Sequence, residues 1–249
     1  MPQKRFLTLS LGFVGLLALI SLYSCNKKSS ITETAPTSVT DYDGNVYKTV
    51  KIGNQIWMVG ALKVTHYNDG TRIPYVPGNT WITTTEGARC YYEDERIDPV
   101  QYAAIYGALY NYYAVSHTGI DRKPNLAPKG WHIADTTEWN TLIGTLNSNP
   151  NFRGGNDATV GGMLKETDTT HWLSPNIGAT NSSGFKALPA GFRHNLGSFN
   201  HLGYYAYYWS STEINSNYAY CQKLNYANAE ISRVTNIKSQ GLSVVCIKD

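Results

Sequence analysis

Three features of the chain predict an α+β domain: β-rich runs near both ends of the 41–249 region, helical patterns confined to its middle, and turn residues between them. The first β signal is Val46 to Ile52 followed by Gln55 to Leu62, joined by Gly53-Asn54, a two-residue junction that favours a tight hairpin. Asn68-Asp69-Gly70 marks a further turn. Between Pro99 and Ala114 the residues Tyr102, Ile105, Leu109 and Tyr113 fall on one helical face, and Pro99 is tolerated in a first turn.

A second helix is predicted from Asp135, whose carboxylate can cap free backbone amides while Glu138, three residues on, returns the bond in a capping box. Trp139, Leu142, Ile143 and Leu146 then follow at core spacing, so this helix is assigned packing and no catalytic role. Arg153 to Asp157 and Gly161-Gly162 form a glycine-rich middle, but no Gly-Lys-Ser/Thr follows and a phosphate loop is excluded. After Pro189 the runs Tyr204 to Thr212, Tyr218 to Asn225, Glu230 to Asn236 and Leu242 to Ile247 read as an antiparallel meander.

Ahead of the domain, Lys4-Arg5, the apolar run Phe6 to Leu22 and Ser24-Cys25 have the form of a lipoprotein export signal. Residues 1–24 are thus predicted to be a signal peptide, and Cys25 the lipidated residue of an outer-membrane lipoprotein. Residues 25–40, rich in Lys, Ser, Thr and Pro, read as a tether with a maximum reach of about 50 Å at ~3.3 Å per residue. No other hydrophobic stretch approaches the ~18 residues of a spanning helix. Residues 41–249 are then one domain.

Hydrophobic residues make up 42% and charged residues 16%, so the domain can bury a core beneath an unusually neutral surface. The formal charge of +3 includes Lys4 and Arg5, and without a basic stripe the chain is not expected to bind nucleic acid. The 19 tyrosines suit polar ligands, since the ring supplies contact area and the hydroxyl hydrogen-bonds; core packing accounts for half or more of them.

Val46-Tyr47-Lys48-Thr49-Val50-Lys51-Ile52-Gly53, Gln55-Ile56-Trp57-Met58, Tyr106-Gly107-Ala108-Leu109-Tyr110-Asn111 and Pro128-Lys129-Gly130-Trp131-His132 open a specific series of motifs. It continues through Glu138-Trp139, Leu188-Pro189-Ala190-Gly191, Tyr208-Trp209-Ser210-Ser211-Thr212 and Gly241-Leu242-Ser243-Val244 with Cys246. In this order the motifs resemble the Fibrobacter succinogenes major paralogous domain, found in secreted and lipid-anchored bacterial proteins. That resemblance implies a C-type lectin-like fold related to the formylglycine-generating enzyme branch, through Gly130 to Trp139 and the late Gly241 to Cys246 segment. Two departures bear on chemistry. Cys246 lacks the neighbouring cysteine that a copper-binding oxidase needs, and Ala127 stands where relatives carry a cysteine.

With Cys25 lipidated, Cys90, Cys221 and Cys246 remain, an odd number in an oxidising compartment. Cys221 and Cys246, on late strands, are the expected disulfide, leaving Cys90 free. No Cys-x-x-Cys or His-x-x-x-His spacing suggests a metal, and no cofactor or catalytic residue is assigned. Ser174-Pro175-Asn176 lacks the carboxylate of a calcium-dependent sugar site. The candidate ligand surface is the Gly-punctuated stretch from Arg193 to Tyr208, with Arg193, His201, Tyr205 and Tyr207 as its residues. The expectation is a non-enzymatic binding module for a glycan or protein partner without calcium; the alternatives are a divergent lectin-fold enzyme and a structural subunit of a surface assembly.

Overall fold

The computed structural model describes residues 1–2, 36–92, 98–116, 125–149 and 151–249. The segment 3–35, which holds most of the expected export signal and Cys25, lies outside the described residues. Among the described residues no helix is long and apolar enough to cross a membrane.

In chain order, β1 (Ser38–Thr40), β2 (Val46–Ile52) and β3 (Gln55–Met58) pair antiparallel and are followed by a 3-10 helix at Gly78–Thr83. The middle carries β4 (Arg89–Cys90), α1 (Pro99–Tyr106), β5 (Leu109–Tyr110), α2 (Tyr112–Val115), β6 (Trp131–Ile133), α3 (Thr136–Leu146) and α4 (Val160–Leu164). Then come β7 (Phe192–Arg193), β8 (Phe199–Asn200), β9 (Tyr205–Glu213), β10 (Tyr218–Asn225), β11 (Ile231–Ile237) and β12 (Cys246–Lys248). The architecture is α+β. A five-stranded sheet runs β1-β2-β3-β12-β6, a three-stranded sheet runs β11-β10-β9, and β4-β5 and β7-β8 make two short pairs.

The hairpin around Gly53-Asn54 forms with Ile52 opposite Gln55, although β3 ends at Met58 rather than Leu62. Ser38 to Thr40, read from sequence as the end of a tether, make the edge strand β1. The capping box is present: Asp135 accepts from the Glu138 amide at 2.8 Å, and the Glu138 carboxylate accepts from the Asp135 amide at 2.8 Å. Trp139, Leu142 and Ile143 are buried as their spacing requires, and Trp139 meets Trp57 at 4.8 Å. This contact fastens α3 across the five-stranded sheet.

The helix expected across Pro99 to Ala114 is broken after Tyr106. Gly107 adopts φ 78°, and a Cβ there would sit 2.7 Å from the Leu62 carbonyl oxygen. The Ala108 amide instead donates to Leu62 at 2.9 Å, and Tyr110 exchanges hydrogen bonds with Leu242. Tertiary pairing therefore overrides the helical pattern. Among the described residues eight tyrosines are buried, including Tyr102, Tyr110 and Tyr208, and four are exposed, so this residue serves both packing and surface.

The three strands from Tyr205 to Ile237 form the expected meander, but Leu242 to Ile247 does not extend it. Gly241 pairs with Arg193, Leu242 with Tyr110 and Ser243 with Tyr208; the chain then enters the other sheet as β12, between β3 and β6. Cys246 consequently lies opposite Ile133, whereas Cys221 sits in β10 opposite Trp209. The expected Cys221–Cys246 disulfide is not formed, because the crossing puts the two cysteines in different sheets. Cys90, Cys221 and Cys246 are all buried.

Candidate binding site

The alternation of β7 turns Phe192 outward and Arg193 inward. Arg193 is fully buried, which corrects its placement on the ligand surface. Its guanidinium donates to the Val76 carbonyl at 2.8 Å and to the Gly78 carbonyl, and lies 4.6 Å from the Trp81 ring centre and 4.7 Å from that of Phe199. It anchors the segment leading into the 3-10 helix. It cannot read a ligand's hydroxyls.

The remaining predicted residues do come together. Period-two geometry places Tyr205 and Tyr207 on one face of β9, while Ala206 and Tyr208 are buried on the other. The rings form a continuous series: Tyr226 meets Tyr204 at 5.2 Å, Tyr204 lies 6.5 Å from His201, and His201 lies 4.8 Å from Tyr205. Tyr205 then meets Tyr207 at 5.8 Å, and Tyr207 meets Phe192 at 5.4 Å. His201 and Tyr204 are exposed; the other four rings are half-buried.

Two backbone features hold this series in place. Gly191 has φ 65°, and a Cβ there would fall 2.4 Å from the Asn200 carbonyl oxygen, so glycine lets β7 and β8 close beneath the rings. His201 adopts φ 69°, and its carbonyl accepts from the amides of Tyr204 and Tyr205 at 3.0 and 3.1 Å. That turn aims the imidazole at Tyr205. Burial first, and the Lys223 charge second, hold the His201 pKa below its ordinary value, so the ring is neutral at pH 7.

Lys223 reaches this face because β10 pairs with β9 so that Lys223 lies opposite Tyr207 and Asn225 opposite Tyr205. Its ammonium stands 5.5 Å from the Tyr205 ring centre. Sequence reading missed Lys223, Phe192 and Tyr226. The meander pattern could have suggested Lys223 through cross-strand register, but nothing local indicated the other two. Trp209, by contrast, is fully buried, and its indole donates to the Tyr110 carbonyl at 2.8 Å.

A separate cleft of about 640 Å³ is lined by Asn125, His132, Asp135, Ser211, Thr212 and Asp249. His132 there lies 2.6 Å from Asp249 through Nδ1 and 2.6 Å from Glu138 through Nε2. The Glu138 hydrogen bond foremost, outweighing desolvation, raises its pKa to about 9. As imidazolium it donates through both nitrogens and has no lone pair for a base or a metal. The cluster works as a clamp that ties α3 to β6 and the Asp249 carboxylate.

Lys165 is also structural. Its ammonium donates to the carbonyls of Ile177, Asn225 and Asn228 at 2.8 to 2.9 Å, matching its three protons with three acceptors. Asn176 donates to the Glu166 and Asp168 carbonyls at 2.9 Å, so that amide serves its own loop. Among the described residues no group of three His, Cys, Asp or Glu side chains is placed to hold a metal ion.

No curated protein and no solved structure matches the chain. Residues 50–248 match the model of the Fibrobacter succinogenes major domain, from within β2 to the end of β12. With four-fifths of its length inside that match, the chain belongs to the Fibrobacter succinogenes major domain family.

Proposed function

We propose that this protein is a lipid-anchored, non-enzymatic binding module of the outer membrane that recognises glycans without calcium. In this reading Cys25 carries the lipid, the domain is C-type lectin-like and related to the formylglycine-generating enzyme branch, and the ring series on β9 is the ligand face. The observation that carries it is the unbroken run of rings from Tyr226 through His201, Tyr205 and Tyr207 to Phe192. Tyrosine rings stack on the apolar faces of sugars while their hydroxyls and nearby amides meet sugar hydroxyls. Arg193, first placed on this surface, is buried, and Lys223 and Asn225 supply the polar groups that meet those hydroxyls.

The test is a glycan array probed with the full chain, with and without EDTA. A hit should be unaffected by EDTA and should weaken several-fold in Tyr205→Ala and in Tyr207→Ala, since a ring that anchors a ligand contributes at least ~1 kcal/mol. Tyr204→Ala, at an exposed position, reports on the same face without disturbing the sheet. Affinity unchanged in all three variants, with circular dichroism intact, refutes the assignment.

A further inference from the structure

We infer that the glycan taken by this face is acidic, carrying a carboxylate or sulfate seated against Lys223; this rests on reading the face as a glycan site. Lys223 is half-buried and fixed in the central strand of its sheet, yet it makes no ion pair among the described residues. Its cross-strand neighbours on β9 and β11 are Tyr207 and Ser232, neither of which is charged. Glu230, the acid on the adjoining turn, accepts a hydrogen bond from the Ser232 hydroxyl at 2.5 Å and makes no ion pair with Lys223. The ammonium, placed over the Tyr205 ring, therefore has no anionic partner among the described residues.

The charge is felt across the face, because it is one of the two causes that lower the His201 pKa. His201 itself is neutral at pH 7 and adds no competing cation. A neutral sugar stacked on Tyr205 would partly cover Lys223 and leave it unpaired, which is unfavourable for a desolvated ammonium. An anionic group extending from the same ring pairs with it at short range, where exclusion of water strengthens the attraction. The combination of a stacking surface and one offset cation thus selects a sugar ring with an acidic substituent at its rim.

The experiment compares matched ligands on the full chain by isothermal titration calorimetry: oligogalacturonate against its methyl ester, and chondroitin against carboxyl-reduced chondroitin. Esterification or reduction removes the charge and leaves the ring stack intact. The acidic member of at least one pair should bind about three- to fivefold more tightly, the scale of one partly exposed ion pair. That preference should vanish in Lys223→Gln and shrink as salt rises. Equal binding of charged and neutral members, still lost in Tyr205→Ala, overturns the inference while leaving glycan binding at this face in place. A preference that persists in Lys223→Gln also overturns it. No binding of any probe overturns it too, and if the glycan array is equally blank the glycan reading falls with it.

Discussion

Replacing Arg193 with methionine tests whether this residue belongs to the core or to the ligand face. The change removes two hydrogen bonds from a charged donor to the carbonyls of Val76 and Gly78. Each is worth about 1.5–3 kcal/mol, so the loss before compensation is about 3–6 kcal/mol. Compensation comes from deleting the buried Nε, which has no hydrogen-bond partner, and whose desolvation costs about 1–3 kcal/mol. Methionine keeps an apolar stem between Trp81 and Phe199, so packing changes little. The net expectation is a destabilisation of about 2–3 kcal/mol, read as a lower urea midpoint at unchanged slope in tryptophan fluorescence melts. Glycan affinity of the folded variant should match that of the parent chain. A loss below about 0.5 kcal/mol accompanied by weakened ligand binding would refute the argument and return Arg193 to the surface.

Three further outcomes follow from the same geometry. His132 has a folded pKa of about 9 against an ordinary 6.5, so its contribution is fully present below pH 6.5 and is lost as pH rises towards 9. Urea melts across that window should lose about 1 kcal/mol, the scale of a half-exposed pair, and His132→Gln should flatten the slope. Asp135→Ala should destabilise by about 1 kcal/mol through loss of the helix cap, and unchanged melts would mean α3 is held by packing alone. The thiols of Cys221, pushed by burial up to about 12, and Cys246, also raised by burial, should resist iodoacetamide at pH 8 until the protein is unfolded. A Cys221–Cys246 link in a non-reducing peptide map would contradict the two-sheet placement.

What could be read from the sequence was whatever local chemistry decides. Asp135 and Glu138 sit three residues apart and cap one helix, so no distant partner was needed to see α3. The period-two runs of β9 and β10 likewise placed Tyr205 and Tyr207 side by side. The break at Gly107 was illegible because its cause is the Leu62 carbonyl, 45 positions earlier. Arg193 was misplaced because the inward turn of a two-residue strand is set by Trp81 and Phe199, which the sequence does not bring near it. Lys223 escaped notice for a related reason: its meaning depends on which strand lies beside β10.

The crossing at Gly241 to Ser243 has a consequence for the order in which the domain can be completed. This short stretch joins Arg193, Tyr110 and Tyr208, and Val244 then accepts from the Leu62 amide at 2.8 Å. Every one of those partners precedes it in the chain, some by more than 130 positions. A growing polypeptide can therefore form the β2-β3 hairpin and α3 early, yet the gap between β3 and β6 stays open until residues 246–248 have been made. Before that moment β3 and β6 have no strand between them. The five-stranded sheet is thus closed by its latest strand in sequence, whichever of its other strands have paired before.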